Sequence, residues 1–200
     1  MNTIKGEIIN SIEITKSVFT TYLKHVDDIT DAKDYVQYVK LLHPDATHHV
    51  VAMTIGRTGE YGQASDDGEP SGTAGLPALD VFRKNNITNF VCVIVRYFGG
   101  VKLGAGGLVR AYSKSASEAL KLLEIVPIID YDHIMLDFDY SFLNLLENRL
   151  SNYEIITKSF TDHVSFVIKV PKDEVTSFLN NVITLTNNLI KYQVLRKEQD

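Results

Sequence analysis

Apolar and polar positions along the chain fall into two blocks of mixed pattern. In the first, residues 4–14 and 18–23 read as strands. Thr30 then opens a segment in which Ala32, Tyr35, Val36, Val39 and Leu42 recur at the helical period, until His43-Pro44 ends it. Residues 48–55 return to a strand pattern. Residues 56–75 are rich in Gly, Ser, Thr and Asp, too polar to pack as a core element, and predict a long loop of the kind that often carries function. A helix over 77–84, an apolar strand over 88–98, a glycine-rich turn and a helix from about Gly106 to Glu124 complete the block. The second block reads strand (131–140), helix (142–150), strand (153–160), strand (164–170), helix (171–186), strand (189–195). That βαββαβ order is the ferredoxin-like arrangement. The expected fold class is α+β in two domains, 1–128 and 129–200, with the boundary near residues 126–130.

Composition narrows the class. With 44% apolar and 22% charged residues over 200 positions, the chain reads as a folded soluble protein rather than a disordered or fibrous one. Its longest clean apolar run, 90–95, is far short of the ~20 residues that cross a bilayer. Glu7 and Asn10 stand where a secretory signal needs an apolar stretch, so no membrane and a cytoplasmic location are expected. Cys92 is the single cysteine, which excludes an internal disulfide and any multi-cysteine metal site. Net charge is −5, and residues 129–200 hold seven basic against eleven acidic groups. Yet Arg96 to Lys114 carries Arg96, Lys102, Arg110 and Lys114 with no acidic residue, a local basic patch in an acidic chain.

That patch contains the densest candidate chemistry. A buried strand enters the segment Arg96-Tyr97-Phe98-Gly99-Gly100-Val101-Lys102-Leu103-Gly104-Ala105-Gly106-Gly107 and a helix leaves it, a geometry that presents free N–H groups to an anion. Gly104, Gly106 and Gly107 let a phosphate approach the backbone. The motif is neither a Walker A loop nor the dinucleotide fingerprint, and a tight packing turn would need the same glycines. On the following helix, Arg110, Lys114, Ser117 and Lys121 share one face, while Leu108, Tyr112, Ala116, Ala119 and Leu123 share the other. The basic face is either a binding stripe continuous with the glycine loop or a plain solvated face. Arg96 alternates with Cys92 and Ile94, so it lies near the end of a buried strand and needs a partner. A ligand phosphate and a carboxylate from Asp66-Asp67-Gly68-Glu69 are the two available, and the internal salt bridge is the stronger reading.

The polar loop offers Asp66, Asp67, Glu69, Ser71 and Thr73 as a candidate site of hard oxygen ligands. It lacks calcium-loop spacing, and the favoured reading is turn and cap chemistry, with Ser71 or Thr73 capping the next helix and the carboxylates near that helix's positive end. No metal or other cofactor is expected. His48 and His49 adjoin on a strand and face opposite sides. No catalytic set of Ser-His-Asp or Cys-His type is evident, and Cys92 reads as a small core residue.

The segments from Ser65 to Gly75 and from Arg96 to Tyr112, with a weaker match over Pro44-Asp45-Ala46-Thr47-His48, resemble the signature of the IMPACT/YigZ (UPF0029) family over nearly the whole chain. Val18 and Val95 stand where the pattern has Arg and Thr, and Val50-Val51 replace Cys-Tyr. The resemblance implies an amino-terminal domain of the ribosomal protein S5 domain 2-like fold and a ferredoxin-like carboxy-terminal domain. Together these are similar to the last two domains of elongation factor G, which act on the ribosome. Eukaryotic relatives regulate translation, using a further amino-terminal domain. The expected function is therefore binding of RNA or the ribosome, with regulation of translation as its purpose. Arg96, Lys102, Gly104, Gly106, Gly107, Arg110 and Lys114 are the expected phosphate contacts. The alternative is a small-molecule enzyme, kinase-like, holding a phosphorylated ligand at the same loop, and an enzyme is the less favoured class. The acidic second domain is a candidate surface for a protein partner, and the oligomeric state is open.

Overall fold

The structure, a computed structural model, describes residues 1–195. Residues 1–128 and those from 129 onwards form two compact units. In the first, β2 (Glu7–Ile14), β3 (Ser17–His25), β4 (His48–Ile55), β5 (Tyr61–Ser65) and β6 (Phe90–Tyr97) form one antiparallel sheet in the order β2-β3-β6-β4-β5. Central β6 is buried on both faces, as an unbroken apolar run requires. Its Phe90, Cys92 and Ile94 join a core with Phe19, Phe82, Leu108 and Tyr112, under helices α2 (Gly75–Lys84) and α3 (Gly104–Leu120). Its Val91, Val93 and Val95 face the other way, against Ala32, Tyr35 and Val39 of α1 (Ile29–Leu42). The Asp28 side chain caps α1 by accepting from the Asp31 amide at 2.9 Å.

The second unit runs β8 (Tyr131–Phe138), α4 (Leu143–Arg149) after one 3₁₀ turn, β9 (Glu154–Phe160), β10 (Val164–Pro171), α5 (Val175–Leu185) and β11 (Lys191–Leu195). Its antiparallel sheet has the order β11-β8-β10-β9, the βαββαβ arrangement expected. Strict alternation along β10 puts Val164, Phe166, Ile168 and Val170 against Leu146 of α4 and Phe178 and Val182 of α5.

Four expectations about elements change. The strand expected over 4–14 is two strands. Gly6, at φ +88°, breaks it, and β1 (Asn2–Lys5) leaves to pair with β7 (Glu124–Pro127). The expected α3 therefore stops at Leu120 rather than Glu124. The polar stretch 56–75 is not all loop, because β5 pairs with β4 as an edge strand. Such a strand needs backbone partners rather than an apolar face. In the second unit, Pro171 ends β10 instead of opening α5, which starts at Val175.

Candidate functional site

Strand register assembles the site. On β6, Arg96 stands opposite Phe19 of β3 and His48 of β4, so all three side chains share the face covered by α3. The chain then turns back at Gly99, where a Cβ would lie 2.0 Å from the Lys16 carbonyl oxygen. Only glycine allows that approach to the β2–β3 turn. The turn delivers Lys102 and Leu103 to the start of α3. Across from it, the loop between β5 and α2 carries Glu69 inward.

Asp66 shapes that loop. Its carboxylate accepts the amides of Gly72 (2.7 Å), Ala74 (3.0 Å) and Gly75 (2.8 Å) at the start of α2. Burial pushes the Asp66 carboxyl up, but the three amides outweigh it and hold it below the usual carboxylate value. A carboxylate does stand at the positive end of α2 as expected, but the expected hydroxyl cap is corrected. Asp66 serves the α2 amides, whereas Ser71 is exposed and the Thr73 hydroxyl donates to the Pro70 carbonyl at 2.6 Å. Asp67, at φ +44°, accepts the His49 amide at 2.6 Å and lies 3.8 Å from Lys40 Nζ.

Glu69 is 8% exposed, and its Oε1 is the hub of the site. Arg96 Nη1 donates to it at 2.5 Å and Tyr112 Oη at 2.7 Å. Burial, then Glu69, pushes the Tyr112 phenol far above its usual value, so it remains a donor. Arg96 is 4% exposed, with its guanidinium also near the rings of Phe19 and Phe98. Of the two partners foreseen for Arg96, the fold supplies the carboxylate. Arg96 is thereby corrected from a phosphate contact to half of a buried ion pair. Its Nε is buried with no hydrogen-bond partner among the described residues.

His48 was not among the expected site residues. Its Nδ1 lies 2.8 Å from the Asp67 carbonyl oxygen, which can only accept, so Nδ1 carries the proton. Its Nε2 then faces Glu69 Oε1 at 3.8 Å. His49 points to the opposite side, with Nε2 at 2.9 Å from the His43 carbonyl oxygen. Cross-strand pairing with Arg96 is what recruits His48, and no local pattern in the sequence carries that information.

Above this charged floor lies a cleft of about 360 Å³ lined by His48, Glu69, Arg96, Phe98, Leu103 and Leu108, with Lys102 and Gly104 also in its lining. Arg110, Lys114, Gly106 and Gly107 lie outside the cleft, along α3. Helix α3 begins at Leu103 without a side-chain cap and has no acidic residue in its first turn. Gly104, Ala105 and Gly106 are exposed there. The Arg110 guanidinium reaches back so that Nη1 lies 3.7 Å from where a Gly106 Cβ would be. Lys102, Arg110 and Lys114 are exposed and make no ion pair within 4 Å among the described residues, although Lys121 and, after it, Lys114 hold the Glu118 carboxyl below its usual value. Further along, Lys121 bonds Glu118 at 2.9 Å, so the open basic stripe ends near Lys114.

The sequence matches the Impact N-terminal domain over residues 15–120, and a domain of unknown function, DUF1949, over residues 136–188. It is 38% identical to the IMPACT family member YvyE of Bacillus subtilis, over 92% of this chain and 86% of that one. It is also 38% identical to the IMPACT family member YigZ of Escherichia coli, over 83% of each. A crystal structure described as that of a hypothetical protein aligns over 98% of both chains with a TM-score of 0.65 at 31% identity. With its first domain matched and such similarity over most of its length, this chain belongs to the IMPACT family.

Proposed function

We propose that this chain binds RNA through its phosphate backbone, as a ribosome-associated regulator of translation. The observation that supports it is the amino terminus of α3, which has no side-chain cap and is flanked by the exposed Lys102, Arg110 and Lys114, none of which makes an ion pair within 4 Å among the described residues. Free amides at a helix amino terminus favour anions, and three cations beside them neutralise phosphates without reading sequence. The resemblance to the last two domains of elongation factor G directs the choice to ribosomal RNA.

With Arg96 held by Glu69, three cations remain, and log K should fall with log salt at a slope of about −2 to −3. Co-sedimentation with ribosomal subunits at low and high salt, alongside filter binding of structured RNA, tests this. The parent is expected to bind at low salt and release at high salt, and the Lys102→Glu, Arg110→Glu double variant to lose binding. A flat salt response, or a double variant that binds as well as the parent, refutes the proposal.

A further inference from the structure

We propose that the cleft beside α3 takes a single unstacked base of the bound RNA and that the base it selects is guanine. This rests on the RNA reading above. The carrying observation is a set of unanswered hydrogen-bonding atoms at the floor of an apolar-walled cleft, next to the place where a phosphate would sit. Phe98, half exposed, together with Leu103 and Leu108, supplies flat apolar wall, and the volume of about 360 Å³ suits a small planar ligand. Unpaired bases in RNA are commonly held this way, stacked on an aromatic ring and hydrogen-bonded at their edges.

The floor decides which base. Glu69 Oε1 is occupied by Arg96 and Tyr112, while Oε2 has no partner among the described residues, although Glu69 is more than nine-tenths buried. That oxygen is not among the fully enclosed unpartnered atoms, so it is open at the cleft that Glu69 lines. His48 donates through Nδ1 to the Asp67 carbonyl, so in its neutral form it presents Nε2 as a second acceptor on the same face, 3.8 Å from Glu69 Oε1. Two neighbouring acceptors call for two neighbouring donors. Among the four RNA bases only guanine has them, N1–H and the N2 amino group on its Watson–Crick edge. Adenine, cytosine and uracil each set an acceptor beside their donor and would leave Glu69 facing a lone pair. Lys102 and the Gly104 amide at the same cleft place the nucleotide's phosphate at the start of the basic stripe.

The test measures binding of a U-rich single-stranded RNA carrying one central G, A or C, with saturation-transfer NMR of GMP, AMP, CMP and UMP in parallel. The G-containing RNA should bind at least about fivefold more tightly than the others, and GMP should show the strongest transfer. Phe98→Ala, at an exposed position that leaves the fold intact by its melting curve, should weaken binding at least about fivefold and leave the salt slope unchanged. Glu69→Gln, which puts a donor where the base needs an acceptor, should abolish the preference. If that variant unfolds, Phe98→Ala and the base series still decide. Equal affinity for the three RNAs with a steep salt slope, and a silent Phe98→Ala, overturns the guanine cleft while RNA binding stands. Failure of every single-stranded RNA to bind, with or without binding of GMP, overturns the guanine cleft, and failure of ribosomal subunits and structured RNA to bind as well overturns both.

Discussion

The Glu69–Arg96 pair should hold the β5–α2 loop to the sheet, and a double-mutant cycle reads its strength. Both side chains are about 5% exposed, with Nη1 to Oε1 at 2.5 Å, and Tyr112 donates to the same oxygen. Removing one partner of a buried pair leaves the other charge without compensation, at a cost of about 3–5 kcal/mol. Arg96→Met strands the Glu69 carboxylate, and Glu69→Gln strands the guanidinium. Each should lower the unfolding free energy of the unit formed by residues 1–128 by that amount, a large part of the ~5–15 kcal/mol typical of a domain, and shift its urea midpoint down accordingly. In the double variant neither charge remains, and the Gln oxygen still accepts from Tyr112. It should therefore be no less stable than the worse single variant, giving a coupling energy of at least about 3 kcal/mol, the cost of the milder single variant. Urea unfolding followed by circular dichroism measures all four corners. Costs under about 1 kcal/mol for the single variants, or strict additivity, would refute the view that this ion pair anchors the site. Arg96→Met also discriminates function. If it folds, it should keep the parent's salt slope for RNA, because Arg96 contributes no phosphate contact.

Asp66→Ala should cost about 2–4 kcal/mol in urea unfolding, because two of its three amide donors, on the buried residues Ala74 and Gly75, would lose their acceptor. Acid should act in two stages. Burial, with His49 nearby, lowers the His43 value below 6.5, so its contribution is present above that pH and lost as pH falls through the lowered folded value. The Asp66 contribution follows the same sign lower down, present above its ordinary 3.8 and lost below it. A pH series of midpoints should show both stages, and the lower one should be smaller in Asp66→Ala, where the lowered carboxyls of Glu60, Glu118 and Asp139 still contribute. Gly99→Ala should destabilise more than Gly100→Ala by thermal melting. A Cβ at Gly99 would collide with the Lys16 backbone, whereas at Gly100 (φ +84°) it meets nothing and costs about 1–2 kcal/mol of backbone strain.

Periodicity and resemblance made most of the fold legible. The βαββαβ order, the buried β6 and the two faces of α3 follow from apolar spacing alone. Misread elements share a cause. The break at Gly6, the strand at 124–127 and the edge strand at 61–65 take their stability from distant backbone partners, which local pattern does not encode. At the site, the glycine loop and the cations at 102, 110 and 114 were visible because they are contiguous. His48 and Phe98 were not, since their roles come from the cross-strand register with Arg96 and from the turn at Gly99.

By itself, the amino-acid order determined most of the helices and strands, that Arg96 would need a counter-charge, and that a basic stripe would follow a glycine-rich turn. Those properties depend on neighbours a few residues away, where spacing is geometry. Only the tertiary structure decided that Glu69, 27 residues from Arg96, supplies the counter-charge through one oxygen. It likewise decided that Asp66 rather than Ser71 or Thr73 serves the α2 amides, and that His48 joins the same floor. Contacts between distant segments depend on how sheet and loop close on each other, and burial then makes each of those polar groups answerable to the one partner within reach.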